Sequence, residues 1–530
     1  MDSDGANRSK FWDNVVQKFT APPSVYTVNP QGNQKKDTEV EDPNTVIAGT
    51  VSENRTHENN VRSRATHASY GISFKKPRLF NQVLASISIA CVSAVTGFIS
   101  AFTAPATDGI KMELKVSDEE FSWVGSLVPL GALVGALVGG QLINFFGRKR
   151  TILIANVLFL ICWGSIAIAS SVEFLFVARG ISGFAVGIAS LTMPLYIGET
   201  IEPHVRGTLG LLPTAFGNIG ILLCFLLGTY LSWRTLAWCG ALLSIPFLFL
   251  VFLIPETPRW YASRNRDREA HDALRWLRGP NEDIHEEYSN LFNKEKGVTP
   301  SVCRVIMELR EHAHLKALII ALGLMFFQQF TGITAVIYYA TDVFNMSGSE
   351  IDSSLSTIIV GLVNFASTFI ASVLVDKAGR KVLLYVSSLS MILTLITLGT
   401  YFYFLHLKFP ITQYGWVPLF SLIVYVLGFS LGFGPIPWLM LGEIFPIRVK
   451  GIAASFATAF HWLCTFVVTK SFVNIIQGVG PYGAFWIFGI LSIASVVFVS
   501  LIVPETKNKS LDEIEAIMNT RKGTPYVFKP

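Results

Sequence analysis

In the stretch GGQLINFFGRKR, residues 139–150, an apolar run ends in a cluster of cations. A related stretch, ASVLVDKAGRK at 371–381, does the same in the second half of the chain. Two further pairs of stretches match in the same order: GETIEPHVRG (198–207) with GEIFPIRVKG (442–451), and PETPR (255–259) with PETK (504–507). Three ordered matches indicate that the chain contains an internal duplication.

The composition is that of a membrane protein. Of the 530 residues, 51% are hydrophobic and only 15% are charged, whereas soluble proteins carry about 25% charged residues. The net charge of +5 is modest, and the Lys and Arg residues fall between apolar runs. Cations in such places set membrane topology. A lipid bilayer is therefore the expected environment, and no nucleic-acid partner is expected.

Long apolar runs recur along the chain, and a transmembrane helix needs about 20 such residues. The predicted spans are 83–105, 123–145, 152–170, 174–197, 208–230, 236–254, 316–345, 352–375, 382–405, 416–440, 451–475 and 482–503. These predict an all-α membrane protein, with twelve transmembrane helices in two six-helix pseudo-repeats and short cytosolic helices between the halves. Such repeats bind substrate near the membrane midplane, at their interface.

The same runs divide the chain into five parts. The predicted parts are a disordered cytosolic tail (1–80), an N-terminal six-helix half (81–254), a cytosolic helical linker (255–315), a C-terminal six-helix half (316–503) and a cytosolic C-terminal tail (504–530). Because the number of spans is even, both termini lie on one side of the membrane. The loops on that side are rich in Lys and Arg, so the positive-inside rule places it in the cytosol.

The seventh run contains an unusually polar stretch, FFQQFTGITAVIYYATDVF at 326–344. On one continuous helix, at about 100° per residue, Gly332 and Tyr339 share a face with Gln328, and Gln329 lies beside them. We expect these amides to line a wet cavity between the halves. The alternative is that they join transmembrane helices by hydrogen bonds, a common role of Gln and Thr in membranes.

Two glutamates at the cytosolic ends of runs 4 and 10 suggest a latch. Glu199 and Glu443 each precede a cation by seven residues, and charges so close to apolar runs need partners. The predicted latch comprises Arg148, Arg179, Glu199, Arg206, Arg380, Glu443 and Lys450. Loop cations that merely signal topology are the alternative, but they leave the paired glutamates unexplained.

Other polar residues lie inside the second half. Asn364, Trp438 and His461 fall within runs 8, 10 and 11, and GFGPIPW (432–438) breaks run 10 with glycine and proline. Helix breaks at membrane depth are tolerated where they are buried in protein or line a cavity. No nucleophile–base or metal-ligand spacing is apparent in the sequence, so neither an enzyme nor a cofactor is expected.

These motifs resemble those of the sugar porter family of the major facilitator superfamily. The resemblance rests on GRKR, RGISG, PETPR, QQFTGI, DKAGRK, GPIPW, GEIFP and PETK, and it covers roughly residues 80–515. The stretches RGTLGLLPTAFGNIGIL (206–222) and CTFVVTKSF (464–472) are similar to the arthropod subgroup of facilitated trehalose transporters. The resemblance implies a facilitative, bidirectional trehalose carrier of the plasma membrane. A hexose carrier and a non-transporting sugar receptor are the alternatives.

The resemblance also implies roles for individual residues. Gln328, Gln329, Asn364 and Trp438 match the family's sugar-contacting residues, and Tyr338 and Tyr339 match its outer gate. Four positions depart from the related glucose facilitators: Thr214 and Thr334 replace amides, Ser430 replaces Glu, and His461 replaces Asn. The Thr and Ser residues remove bulk, which suits a disaccharide, although the same changes could re-tune a hexose site.

Proton-coupled members of the family carry an Asp in run 1, where this chain has Ile99. Proton coupling needs a titratable group in the path, so we expect uniport. The carrier is expected to function as a monomer. The sequon Asn345-Met346-Ser347 falls in a predicted outer loop, so Asn345 is a candidate glycosylation site close to the membrane.

Overall fold

The structure is a computed structural model. It describes residues 79–202, 205, 209–280, 282–289, 312–347, 352–445, 447–507 and 513. The predictions for residues 1–78, for most of 290–315 and for the C-terminal tail beyond 507 lie outside these residues. Within the described residues, the regular secondary structure is helical throughout, as expected for an all-α membrane protein.

Nine α-helices lie in the described residues of the first half and the linker. They are α1 (Phe80–Ala101), α2 (Thr103–Leu114), α3 (Asp118–Phe146), α4 (Arg148–Ala167), α5 (Val172–Thr200), α6 (Leu212–Tyr230), α7 (Trp233–Leu250), α8 (Pro258–Ser263) and α9 (Asp267–Arg278). A 3-10 turn, Val251–Leu253, extends α7, and a further helical turn covers residues 285–289.

The second half begins at α10. Its helices are α10 (His312–Phe330), α11 (Ile333–Tyr338), α12 (Ala340–Met346), α13 (Ser353–Ala378), α14 (Arg380–His406), α15 (Val417–Leu431), α16 (Ile436–Glu443), α17 (Ile447–Val479) and α18 (Pro481–Leu501), with a 3-10 turn at Thr412–Tyr414. Twelve helical spans in the described residues are long and apolar enough to cross a membrane, which confirms the number predicted from the sequence.

The helix bundle has two ends, which are called the inner end and the outer end. The inner end carries Arg148 and Arg380, at the starts of α4 and α14. The outer end carries Lys111 on α2 and Lys408 after α14. The positive-inside rule predicts that the inner end faces the cytosol.

The seventh span differs from the expectation of one continuous helix. Gly332 has a φ of +96° and separates α10 from α11, and a Cβ there would lie 2.6 Å from the Phe488 ring. Only glycine combines this backbone conformation with so close a neighbour. The angular position predicted for Tyr339 is therefore wrong, since a helical wheel does not extend across a break. The predicted break in the tenth span is present between Leu431 and Ile436.

The duplicated motifs build the same structure at the inner end of each half. Gly147 and Gly379 precede α4 and α14 with φ values of +90° and +89°. Glu256 accepts hydrogen bonds from the backbone N–H groups of Arg148 and Lys149 at 2.9–3.1 Å. Its counterpart Glu505 accepts from the backbone of Arg380 and Lys381 at 3.1 and 2.9 Å. Each carboxylate thus caps a helix N-terminus, where the free N–H groups and the dipole favour an anion.

The linker contains the amphipathic helices predicted from its sequence. Helix α9 buries Ala273, Leu274 and Leu277, while its polar face is exposed. Its last residue, Arg278, donates to the Thr200 carbonyl at 2.9 Å. The linker helix is thereby fixed to the inner end of α5.

Candidate substrate site and gates

Gln328 connects the two broken spans. Its Nε2 donates to the carbonyl oxygens of Phe433 at 2.7 Å and Gly434 at 2.9 Å, which lie in the break between α15 and α16. Breaking a helix frees carbonyl groups, and in a membrane such groups need donors. Gln328 is 3% exposed, and its Oε1 is buried without a partner. This side chain therefore joins helices through its nitrogen and keeps one unused acceptor.

The reverse connection is made by Tyr425 of α15. Its hydroxyl donates at 2.9 Å to the carbonyl of Thr331, which lies in the break between α10 and α11. Each break is thus satisfied by a side chain from the other span. Tyr425 was not among the residues selected from the sequence; a tyrosine inside an apolar run is the signal that could have identified it.

Gln329 belongs to a second polar group. Its Nε2 lies 3.4–3.5 Å from the ring nitrogens of His461, and its Oε1 accepts from the Thr334 hydroxyl at 2.5 Å. The His461 ring stands edge-on to Trp438 at 4.9 Å and to Trp462 at 5.1 Å between centroids. Four residues selected from the sequence, Gln329, Thr334, Trp438 and His461, therefore lie together.

Asn364 lies in a third group, on α13. Its Oδ1 accepts from the Ser430 hydroxyl at 3.3 Å. Asn218 of α6, which the sequence reasoning missed, donates to the Asn364 carbonyl at 3.3 Å and to Thr368 Oγ1 at 2.7 Å. Thr214 is exposed and lies one turn before Asn218, and no hydrogen bond joins its side chain to this group.

The two tyrosines are buried at the outer end. Tyr338 and Tyr339 are 1% and 3% exposed. The Tyr339 ring packs against Phe472 at 5.3 Å, and its hydroxyl, which lacks a hydrogen-bond partner, would lie 3.2 Å from a Cβ on Gly125 of α3. Since Tyr339 belongs to the second half and Gly125 to the first, the halves are in contact here, and this contact is called the outer closure.

An acidic group lies beside this closure. Burial raises the pKa of Asp342, on α12, to about 6; Lys111 opposes the rise, and Asp108 and Asp118 add to it. Lys111 forms its own ion pair with Asp118 at 2.7 Å.

Arg179 does not belong to the inner latch, and this corrects the sequence expectation. It lies on α5 about 30 Å from Glu199, at 1.5 Å per residue. It is fully buried and donates to the Val124 carbonyl at 3.0 Å, to Thr103 Oγ1 at 2.9 Å and to the Ile99 carbonyl at 3.5 Å. Because α5 runs from the outer to the inner end, its first turns lie near the outer closure.

Two ion pairs form among the residues of the predicted latch. Arg148 Nη2 lies 2.8 Å from Glu199 Oε1, and Arg380 Nη2 lies 2.7 Å from Glu443 Oε1. Each pair joins two elements of the same half. Glu443 also accepts from Thr506 at 2.6 Å, whereas the second oxygen of Glu199 is buried without a partner. Arg206 and the side chain of Lys450 lie outside what the structure describes.

Asn345 is exposed on α12, while the sequon hydroxyl of Ser347 is buried and donates to the Phe344 carbonyl at 2.7 Å. Glycosylation of Asn345 stays a prediction.

The twelve membrane-crossing spans, arranged in two halves with matching motifs, define a membrane carrier of the major facilitator type. The family model described as "Sugar (and other) transporter" matches residues 78–518. The chain therefore belongs to that family of sugar transporters.

Individual relatives agree with this membership. The chain is 52% identical over 461 residues to the facilitated trehalose transporter Tret1 of Culex quinquefasciatus, covering 86% of this chain and 89% of the relative. It is 52% identical over 446 residues to Tret1 of Bombyx mori, covering 84% and 88%. Among solved structures, it is similar to the proton:xylose symporter XylE bound to 6-bromo-6-deoxy-D-glucose, with a TM-score of 0.69, 27% identity and coverage of 83% and 99%.

Proposed function

We propose that this protein is a facilitative carrier that moves trehalose in either direction across the plasma membrane. The observation that carries the proposal is the similarity to transporters named for trehalose, which share about half of their residues with this chain over most of both lengths. The chain does no covalent chemistry in this proposal and works by alternating access between its two six-helix halves, as a monomer.

The polar groups between the spans support a sugar site. Gln328 Oε1 is a buried acceptor without a partner, and leaving such a group unpaired costs about 1–3 kcal/mol. A hydroxyl of a bound sugar would remove that cost. Asn364 and the group around Gln329 add further donors and acceptors, and the tryptophans beside His461 offer faces to a sugar ring. Trehalose, with many hydroxyls and two rings, suits a site of this chemistry.

Uniport is supported by the surroundings of Arg179. Its hydrogen bonds in the described residues are to two carbonyls and a hydroxyl, and Ile99 contributes one of the carbonyls. Proton-coupled members of the family carry an Asp at the position of Ile99, and the arginine that bonds to the Ile99 backbone does not exchange its proton at physiological pH. We therefore propose that the sugar gradient alone drives transport.

The orientation and the gates belong to the same proposal. The inner end faces the cytosol, Tyr338 and Tyr339 form the outer gate, and the Arg148–Glu199 and Arg380–Glu443 pairs stabilise the inner gate. The closed outer end corresponds to a state in which sugar exchanges with the cytosol or is enclosed.

Counterflow in proteoliposomes tests the substrate. Vesicles preloaded with unlabelled trehalose should transiently accumulate labelled trehalose, and Gln328→Ala vesicles should accumulate much less. Gln477→Ala is the matched control, because Gln477 is an exposed glutamine at the outer end. If the vesicles show counterflow of glucose but not of trehalose, the substrate is a hexose. If the protein binds sugar but shows no counterflow, it is a receptor.

A further inference from the structure

A lysine lies inside the eleventh span and reaches across the two halves. Lys470 is on α17, within the membrane-crossing stretch Ile452–Val479. Its Nζ donates to Ser122 Oγ at 2.6 Å and lies 4.2 Å from the centre of the Trp123 ring. Ser122 and Trp123 are in the first turns of α3, at the outer end of the other half. Lys470 is half-buried near the outer end of its span, and a cation there that contacts the other half calls for a functional explanation.

The partners of Lys470 are held in place. Ser122 is fully buried and donates its own hydrogen to the Glu119 carbonyl at 2.6 Å, so its lone pairs remain for the ammonium. The Phe466 ring, one turn before Lys470 on α17, lies 6.3 Å from Trp123. In the described residues, no carboxylate lies within ion-pair distance of Lys470. The contact is therefore a cation–π interaction with one charge-assisted hydrogen bond.

We propose that Lys470 is a positioning residue of the outer gate, whose ammonium holds Ser122 and Trp123 and so stabilises the closed outer end. The inference rests on the proposed alternating access, because a carrier must separate its outer ends to admit sugar. When they separate, Trp123 and Ser122 move away with the first half, and the ammonium becomes hydrated. This contact differs from the inner ion pairs, each of which lies within one half.

The contact is suited to a gate that must open repeatedly. The attraction between a cation and an indole ring is stronger where water is excluded. Once the ring withdraws, water hydrates the ammonium and offsets much of the lost interaction. Closure is also fixed nearby by Tyr339 against Gly125, so Lys470 sets the balance between closed and open states without being the only barrier.

Distances between spin labels on the two halves test the proposal without any sugar. With all six native cysteines replaced, labels are attached at Met112→Cys on α2 and Val479→Cys at the end of α17, which are 76% and 49% exposed. Pulsed electron resonance on the purified protein in nanodiscs gives the populations of short and long distances. Lys470→Met should raise the ratio of long to short distances about tenfold, because two interactions of the closed state are lost together.

Three variants accompany this measurement. Lys470→Arg keeps a cation and hydrogen-bond donors and should restore the short distance. Lys408→Met removes an exposed lysine at the outer end and should leave the populations unchanged. Trp123→Leu removes the cation–π contact and leaves the hydrogen bond to Ser122. It should therefore shift the populations in the same direction but by less than about tenfold, and it provides the test if Lys470→Met does not fold. Combined with Lys470→Met it should add little, since Lys470→Met has already removed the same cation–π contact.

Unchanged distances in both Lys470→Met and Trp123→Leu would overturn the proposal and leave Lys470 as a packing residue. An equal shift in Lys408→Met would attribute the effect to surface charge and would also overturn it. A failure of trehalose counterflow would refute the proposed substrate, whereas the distance populations do not depend on which sugar is carried.

Discussion

Gln328 donates an amide hydrogen to the Phe433 carbonyl at 2.7 Å, joining the helix before one break to the backbone of another. The sequence left two interpretations of this glutamine, a ligand group in a cavity and a link between helices. In the structure the nitrogen links the helices, and the oxygen is buried without a partner. This oxygen is the atom that we propose as the acceptor for a sugar hydroxyl.

Gln328→Ala should therefore lower both affinity and stability. Losing one hydrogen bond to a neutral hydroxyl costs about 0.5–1.5 kcal/mol, so the affinity for trehalose should fall roughly threefold to tenfold. The concentration dependence of uptake measures this fall, with Gln477→Ala as the control. A lower Tm with unchanged affinity would mean that the glutamine serves only to join the helices.

Coupling is tested by the proton gradient. With Ile99 in place of a carboxylate, transport should be insensitive to a protonophore, and an acid-outside gradient should not drive accumulation above the external concentration. The measurement is trehalose uptake into vesicles with an imposed pH difference. Uphill accumulation would contradict uniport and point to another proton carrier.

Glu443→Gln should weaken the inner gate. Arg380 would lose a partly buried partner, and a change of about 1.4 kcal/mol shifts a population tenfold. A single cysteine at Leu439 on α16 should then be labelled faster from the inner side. Thr506→Val is the matched control, because it removes a hydrogen bond to Glu443 and leaves the ion pair with Arg380. Equal labelling in all backgrounds would limit the glutamate to folding or topology.

Gly147→Ala should destabilise the first half through its cap. Gly147 has a φ of +90°, and a Cβ would lie 2.4 Å from Glu256 Oε2. Backbone strain of this kind costs about 1–3 kcal/mol, and the collision adds to it. Gly279→Ala separates the two effects, because Gly279 has a φ of +101° with nothing within 4 Å. The Tm should fall more for Gly147→Ala than for Gly279→Ala. Equal falls would show that the Glu256 side chain moves aside without a loss of stability.

Asp342 predicts a pH dependence. Its pKa is raised to about 6, chiefly by burial, above the value of about 3.9 in an unfolded chain. The folded protein then binds more protons than the unfolded one, so this contribution to stability is greatest at low pH and is lost as pH rises through 6. Thermal unfolding between pH 5 and 7 should show this loss, and Asp342→Asn should flatten it. If Asp342→Asn has the same dependence of Tm on pH as the unmodified protein, another group causes that dependence.

The number of spans and the repeat could be predicted from the sequence because hydrophobic length and motif order report on them directly. The break at Gly332 could not, since a glycine is also tolerated in an unbroken transmembrane helix, and the Phe488 ring that excludes a Cβ there comes from a distant part of the chain. The error on Arg179 was avoidable: a span that follows an odd number of crossings begins at the outer end. The sequence showed Glu256 only as part of a repeated motif. Its capping role could not be predicted, because the helix that it caps begins 108 residues earlier in the chain.

The crossed bonds between the two breaks bear on leakage. Gln328 ties the inner segment α10 to the start of α16, and Tyr425 ties the outer segment α15 to the start of α11. We expect that a rotation of α11 that admits solvent at the outer end also pulls on the start of α16, the segment that leads to the inner end. The starts of α11 and α16 are called the two pivots. A water-filled passage through the whole membrane would require both pivots to yield independently, and these bonds oppose such motion. We therefore expect the proposed carrier to exchange a polar solute without forming a continuous water-filled passage.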